Sequence, residues 1–428
     1  MAFVHRTLTR SLFGFGFGSA AIATTISSAI DTPAAREATV AALSRFLPPH
    51  VGDAVTELTQ ILHRAFPGDL TITDITAALS VMAIMQGLSQ KPVYQVRKFS
   101  AAEDSPIALR FSHYMKYAMA AYGKPVEIRG SQEQWIAGVV NLVVRKVGRY
   151  VGEDEVRGKA MLEHFVAVDD KERAVVLALK GTATLEGALK DLRLVYRDVD
   201  FWGQLYQVHG GMLDSALGLV EFPELVASVK KELKANPGYK LVVLGHSLGG
   251  GVAGLVAPLL AAEPTRDGRF VTNARTIPGR VIECYGFEPA ASVDEELRQK
   301  TKTMTYSLVN KNDIVPALSH GAVHDFKALA LYLKQNTPYL AGIVDGLSKG
   351  KLNPEEHMAK FRSLATNKKL VPPGRVWVID TNVKGKLEIG EVLNVNQRFG
   401  EAKFILGMLT HHKLGDCVDS MAALEGLE

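Results

Sequence analysis

The strongest constraint on the fold lies in residues 241–251, which read LVVLGHSLGGG. The apolar run at 240–244 predicts a short buried strand, and the small residues from 250 to 262 predict a helix. Residues 245–249 fit the pattern G-x-S-x-G, in which the glycines on either side of the serine permit a sharp turn from strand to helix. The motif therefore predicts an α/β fold that presents Ser247 at the end of a strand, as a candidate nucleophile.

A serine hydroxyl is a weak nucleophile until a base removes its proton, so a histidine and an acid are required as partners. In folds built around this turn, the acid and then the histidine follow the serine along the chain. The best acid is Asp313, which lies just after the predicted strand at 303–309. On spacing alone, an ordinary turn or helix-capping residue explains this aspartate more simply.

Five histidines follow the candidate acid: His320, His324, His357, His411 and His412. The first two follow it too closely, and the third lies inside a long insertion. The last two come after the last predicted strand at 375–380, as the order requires. Two adjacent side chains cannot both point at one serine, and the residues alone leave the choice between His411 and His412 open.

An oxyanion that forms during acyl transfer needs backbone N–H donors. The Leu248 amide qualifies because it lies at the predicted helix N-terminus. The second donor is expected after an earlier strand, and Gly181 with Thr182 follows the predicted strand at 173–180. The rival is the run at 209–211 (HGG), for which no strand is predicted immediately before it. Thr182 is therefore the predicted partner of Leu248.

Strands alternate with helices from about residue 160, which predicts an α/β-hydrolase-like, mostly parallel sheet with helices on both faces. Residues 164–168 and 173–179 read as a hairpin. We divide the chain into a targeting or anchoring segment (1–34), a helical region (35–158) and a catalytic domain (159–428) with an insertion at 321–372. In the helical region, residues 75–88 read as a buried helix, with Asp74 as its N-cap.

The segment 11–30 carries no charge, and Arg6 and Arg10 precede it. Four interpretations remain open: a signal anchor, a cleaved signal peptide, a mitochondrial presequence and a membrane-inserting helix. We expect association with a membrane through this segment. The organelle stays open.

Composition excludes other classes of protein. The net charge is only +4, with no long basic run, so a nucleic-acid partner is not expected. The two cysteines, Cys284 and Cys417, form no Cys-x-x-Cys pair. We therefore predict no metal and no cofactor.

Several motifs together resemble the class 3 lipases, and within them the sn-1-specific diacylglycerol lipase branch. The resemblance covers about 70–420. It rests on residues 74–79 (DITAAL), 113–123 (HYMKYAMAAYG), 179–182 (LKGT), 208–212 (VHGGM), 245–250 (GHSLGG), 312–316 (NDIVP) and 408–412 (MLTHH).

This resemblance implies Ser247 as nucleophile, Asp313 as acid, His412 as base and Thr182 in the oxyanion hole. Two positions depart from the family pattern: His411 stands where an aspartate is usual, and Lys180 stands where an arginine is usual. The insertion at 321–372 falls where that branch has a variable loop thought to gate access.

The implied function is hydrolysis of a fatty-acyl ester of diacylglycerol or a related acylglycerol, through an acyl-enzyme, at a membrane or lipid surface. The alternatives are a phospholipase A1 or other carboxylesterase of the same fold, and a catalytically silent, membrane-associated protein that keeps the hydrolase fold.

Overall fold

A computed structural model describes residues 33–66, 68–89, 94–122, 162–182, 195–382, 384–404 and 407–424. The segment 11–30, on which the expectation of membrane association rests, lies outside these ranges. Among the helices of the described residues, none combines the length and the apolar character needed to cross a bilayer.

The molecule is built around an eight-stranded sheet with the strand order β1-β10-β9-β8-β7-β6-β3-β2. Its strands are β1 (Val96–Lys98), β2 (His164–Asp169), β3 (Ala174–Leu179), β6 (Lys240–His246), β7 (Ile282–Phe287), β8 (Thr305–Asn310), β9 (Arg375–Thr381) and β10 (Leu387–Val392). The five strands from β3 to β9 run parallel, and the outer strands β2, β10 and β1 are antiparallel to their neighbours. The predicted mostly parallel sheet and the hairpin at its edge are confirmed.

Helices cover both faces of this sheet. They are α1 (Pro33–Ser44), α2 (Pro49–Ala65), α3 (Ile72–Leu88), α4 (Ala101–Ala121), α5 (Gly210–Glu221), α6 (Pro223–Ala235), α7 (Leu248–Leu260), α8 (Glu295–Lys300), α9 (His320–Gln335), α10 (Thr337–Ser348), α11 (Pro354–Leu364), α12 (Val395–Phe399) and α13 (Leu414–Ala422). Because side chains alternate along a strand, Val176 in β3 packs with Phe111 of α4, while Leu177 packs in the core that holds Leu255 of α7. Burial on both faces explains why these strands read as unbroken apolar runs.

The N-terminal region contributes to the sheet as well as to the helical layer. The edge strand β1 pairs with β10, so the region predicted as helical also contains a strand. The predicted N-cap of α3 is wrong. Thr71 is the cap, and Asp74 sits three residues into the helix, where its carboxylate accepts the Thr71 N–H at 3.0 Å. Sequence reading placed the cap too late because this reciprocal capping box lies one turn earlier.

The insertion at 321–372 is a packed layer of three helices, α9 to α11. Phe326 and Leu329 of α9 are buried in the same core as Ile75 and Leu79 of α3. A pocket of about 310 Å³ lies between α3, α9, α11 and α12, and both apolar and charged side chains line it, among them Phe326, Met358, Asp325 and Arg362. The insertion therefore forms part of the hydrophobic core.

A second, two-stranded sheet consists of β4 (Tyr196–Phe201) and β5 (Gln204–His209). Trp202 and Gly203 form its turn, with φ of 57° and 79°. The sequence does not predict this hairpin, because charged side chains interrupt the apolar pattern of β4. On the sequence alone, the run at 209–211 is set aside as an oxyanion loop because no strand is predicted before it. That expectation is wrong, because β5 ends at His209.

Candidate active site

Ser247 lies at the turn between β6 and α7, with φ of 57° and ψ of −126°. A non-glycine residue rarely adopts a positive φ, so the surrounding structure must hold this conformation. A Cβ on Gly245 would lie 2.4 Å from the backbone carbon of Gly249, and a Cβ on Gly249 would lie 2.5 Å from the Leu179 carbonyl oxygen. Both flanking positions therefore require glycine for steric reasons.

Three side chains form a continuous chain of hydrogen bonds at the carboxyl edge of the sheet. His412 Nε2 lies 2.8 Å from Ser247 Oγ, and His412 Nδ1 lies 3.0 Å from Asp313 Oδ2. A carboxylate only accepts, so Nδ1 carries the ring proton and Nε2 is left to accept the Ser247 hydroxyl proton. This is the proton arrangement that activates a serine.

Asp313 follows β8 and is 2% exposed. Its Oδ1 accepts the Val315 N–H at 2.9 Å, while its Oδ2 faces His412. Asp313 can therefore be both a turn residue and the partner of the histidine, because one oxygen closes the local turn and the other contacts His412.

His411 and His412 lie in one short 3₁₀ turn, Thr410–His412, and their rings point in different directions. His411 Nδ1 accepts the Asn312 N–H at 3.3 Å, and the ring packs against Gly407. Burial lowers the pKa of His411. The structure brings His412 to Ser247 and directs the His411 ring to a neighbouring loop.

Gly181 and Thr182 lie on the other side of the serine. A Cβ on Gly181 would lie 3.2 Å from the Ser247 Cβ, so this loop passes directly beside the candidate nucleophile. The Thr182 hydroxyl is buried and has no hydrogen-bond partner in the part of the chain that the structure describes. Leu248 is the first residue of α7, where backbone N–H groups lack an intrahelical acceptor. The loop that carries Thr182 and the helix N-terminus that carries Leu248 therefore both adjoin Ser247.

The remaining candidates have other partners. His209 caps α5 by accepting the Met212 N–H at 3.3 Å, and burial lowers its pKa to about 4. The ring of His320 packs against that of His324, and His357 bonds to Tyr339. These four histidines therefore contact other parts of the structure and not Ser247.

Sequence reasoning missed a second layer of polar side chains behind the serine. His246 Nε2 lies 2.9 Å from Glu288 Oε2, and His246 Nδ1 lies 2.8 Å from the Tyr122 hydroxyl. The His246 ring stacks on that of His412, with 5.0 Å between centroids. Glu288 follows β7 at the same sheet edge as Asp313, a position that the strand pattern could have revealed.

Burial controls the charge of this second layer. It lowers the pKa of His246 well below its ordinary value, and the nearby His412 lowers it further. Burial also raises the pKa of Glu288 well above its ordinary value, and the Asp313 carboxylate raises it further. Burial therefore favours the neutral form of both groups.

His246, Glu288 and His412 each bring one nitrogen or oxygen within 4.8 Å of the others, a set that can hold a metal ion. These atoms already take part in hydrogen bonds with one another and with Ser247, Asp313 and Tyr122. A cation at this position would have to compete with those bonds.

Residues 176–322 match the family model described as Lipase (class 3). Diacylglycerol lipase-beta of Mus musculus is 24% identical over 256 residues, which cover 52% of this chain and 36% of that protein. A lipase of Rhizomucor miehei is 39% identical over 96 residues, which cover 22% of this chain and 25% of that protein. The chain thus spans well under two thirds of the length of these relatives.

Among solved structures, the native Rhizomucor miehei lipase propeptide complex aligns with 76% of this chain and 82% of that one. The sequence identity is 18% and the TM-score is 0.40.

Proposed function

We propose that this chain, whose residues 176–322 match the class 3 lipase family model, is a serine lipase that hydrolyses an acyl ester of diacylglycerol or a related acylglycerol through an acyl-enzyme. The observation that carries the proposal is the chain of hydrogen bonds from Ser247 through His412 to Asp313, at 2.8 and 3.0 Å.

In the first step His412 Nε2 takes the proton from Ser247 Oγ, which attacks the acyl carbonyl carbon. Asp313 stabilises the imidazolium that forms, through the bond to Nδ1. The imidazolium then gives its proton to the departing glycerol oxygen. The products of this half-reaction are the acyl-enzyme on Ser247 and the shortened acylglycerol.

In the second step water replaces the glycerol hydroxyl. His412 removes a proton from the water as it attacks the acyl-enzyme, then returns it to Ser247 Oγ as the fatty acid leaves. In both steps the amides of Leu248 and Thr182 donate to the carbonyl oxygen as it becomes negative. Such donors strengthen transition-state binding most when they are fixed in advance, as at a helix N-terminus.

An acylglycerol is favoured as substrate by the relatives. The named relatives include diacylglycerol lipases and a secreted mono- and diacylglycerol lipase A of Penicillium cyclopium, which is 31% identical over 101 residues. A panel of monoacyl-, diacyl- and triacylglycerols with matched phospholipids tests this choice. Release of fatty acid from phospholipids alone would favour the phospholipase A1 alternative.

Ser247→Ala tests the mechanism. We expect acylglycerol hydrolysis to fall by on the order of 10⁴-fold or more, because the nucleophile is lost while binding remains. Fluorophosphonate labelling of the wild-type protein, with none of the variant, would support the assignment. A folded wild-type protein that neither reacts with the probe nor turns over esters would instead be the catalytically silent alternative.

The proposal includes membrane association through the uncharged segment 11–30. Flotation with liposomes tests it, using the full chain and a chain that lacks residues 1–30. We expect the full chain to float and the shortened chain to remain with the soluble fraction. Equal flotation of both would assign lipid binding to another surface.

A further inference from the structure

A buried carboxylic acid lies directly behind the candidate base. Glu288 is 0% exposed and has a φ of 49°, so its backbone is held in an uncommon conformation. Its Oε2 contacts the His246 ring, and its Oε1 has no nitrogen or oxygen partner within the described ranges. An ionised carboxylate in such a place is costly without a cation beside it.

Among the residues that the structure describes, the groups that face Glu288 supply no such cation. They are His246 from β6, Asp313 after β8, His412 from the 3₁₀ turn, and Asp416 and Cys417 from α13. His246 is itself neutral, and burial raises the pKa of the Cys417 thiol. The neighbours therefore favour a protonated, uncharged Glu288.

The hydrogen bonds of His246 determine its tautomer. The His412 carbonyl oxygen lies 3.0 Å from His246 Nε2, and a carbonyl oxygen can only accept. Nε2 therefore carries the proton, which it shares between this carbonyl and Oε2 of Glu288 at 2.9 Å. Nδ1 then has only its lone pair, so the Tyr122 hydroxyl must donate to it.

Tyr122 connects this network to the loop on the other side of the serine. It lies at the C-terminus of α4, and its hydroxyl packs against the Gly181 backbone, where an added Cβ would lie 2.6 Å from the hydroxyl oxygen. A path of contacts and hydrogen bonds therefore runs from Gly181 through the side chains of Tyr122 and His246 to the backbone of His412. The path links the predicted oxyanion loop to the turn that carries the candidate base.

We propose that Tyr122, His246 and Glu288 form a neutral hydrogen-bonded bridge that positions His412 against Ser247. Tyr122 and Glu288 are positioning residues. Tyr122 fixes the His246 tautomer, Glu288 fixes the orientation of its ring, and the His246 N–H holds the backbone of the base. This inference rests on the proposed hydrolase function, because only in a hydrolase does His412 act as a base that must be positioned.

The main test compares Tyr122→Phe, Glu288→Ala and Glu288→Gln on a soluble ester such as p-nitrophenyl butyrate. We expect the first two to lower kcat between about 10- and 100-fold with a smaller change in KM, because small misplacements of a reacting group cost rates of that order. Glu288→Gln keeps an acceptor oxygen and adds a neutral donor, so it should recover most of the rate that Glu288→Ala loses.

Tyr114→Phe is the matched control. Tyr114 lies on the same helix, is fully buried, and its hydroxyl has no hydrogen-bond partner among the described residues. We expect its kcat to stay at the wild-type value. Thermal unfolding of each variant checks that a loss of rate is measured on folded protein.

Three results would overturn the bridge. The first is a wild-type kcat in folded Tyr122→Phe and Glu288→Ala. The second is an equal loss in Glu288→Gln and Glu288→Ala together with a shifted acid limb of the pH–rate profile, since the carboxyl would then act as an ionised group. The third is an equal loss in Tyr114→Phe, which would trace the effect to helix packing.

A spectroscopic experiment tests the bridge independently of the proposed function. In ¹⁵N-histidine spectra, His246 should show a proton on Nε2 and none on Nδ1, and Tyr122→Phe should change the Nδ1 shift. If the wild-type protein turns over no ester and resists fluorophosphonate, the hydrolase proposal fails while this experiment still tests the bridge. A proton on Nδ1 of His246 would contradict the bridge even in an active enzyme.

Discussion

The two arms of the candidate site are held in place by different forces. On the nucleophile arm, residues 245–249, backbone atoms pack so closely around Gly245 and Gly249 that no side chain fits. On the base arm, residues 407–412, the 3₁₀ turn has no fully buried residue. Besides the buried side chain of Met408, hydrogen bonds from other elements hold that arm, including Ile314 N–H to the Met408 oxygen at 3.2 Å and Asn310 Nδ2 to the His411 oxygen at 3.3 Å.

Because of this difference, we expect mutations in the two arms to differ in their effects on stability and on the reaction rate. Steric packing tolerates no added atom, so changes on the nucleophile arm are expected to damage the fold along with the rate. Hydrogen bonds to a partly exposed turn contribute less to folding, so changes on the base arm are expected to alter the rate of a folded protein.

The largest effect on the base arm is expected from His412→Ala. Loss of the base should lower kcat/KM by on the order of 10⁴-fold, because Ser247 then has no proton acceptor. His411→Ala is the matched control and should lower it by less than about tenfold. Ester hydrolysis by both purified variants measures the contrast. The reverse order would assign the base to His411.

Asp313→Asn is expected to lower kcat by on the order of 10³- to 10⁴-fold. An amide at this position no longer offers two acceptor oxygens, so the ring of His412 loses the partner that fixes its tautomer. The Val315 N–H bond should survive in the variant, and thermal unfolding should stay near wild type. A variant with nearly full activity would return Asp313 to the role of a turn residue.

Gly249→Ala tests the close packing of the nucleophile arm. The added Cβ would meet the Leu179 oxygen at 2.5 Å and the Lys180 carbonyl carbon at 2.9 Å, so we expect destabilisation of about 3 kcal/mol along with loss of activity. Gly87→Ala is the control, because a Cβ there meets nothing within 4 Å inside helix α3. It should be neutral or stabilise by up to about 1 kcal/mol. Urea unfolding compares the two, and equal stabilities would remove the steric explanation.

The last prediction concerns the pH dependence of stability at Glu288. Folding raises its pKa, so its contribution is complete below the ordinary glutamate pKa and is lost as pH rises toward the raised value. Glu288→Gln cannot ionise, so its stability should gain on wild type as pH rises through that window, by at most about 1.4 kcal/mol per pH unit. Urea unfolding from pH 5 to 8 measures this. A stability difference between the two proteins that stays constant over this pH range would mean that folding does not raise the pKa of Glu288.

The sequence predicted the elements whose signal is local. The turn at Ser247 could be read because its strand, glycines and helix are contiguous, and the central strands could be read because burial on both faces makes them continuously apolar. The hairpin β4–β5 and the edge strand β1 escaped notice because partly exposed strands carry mixed side chains. The α3 cap was misplaced because Asp74 is one half of a two-residue motif that begins at Thr71.

By itself, the sequence determined that Ser247 stands at a strand-to-helix turn of an α/β fold, because local sterics require glycine there. It also limited the base to two adjacent histidines. Only the tertiary structure decided between their rings, since the direction of each depends on bonds from Asp313 and Asn312, about a hundred residues earlier in the chain. The layer of Tyr122, His246 and Glu288 likewise comes from three separate elements, and only folding brings it together behind the serine.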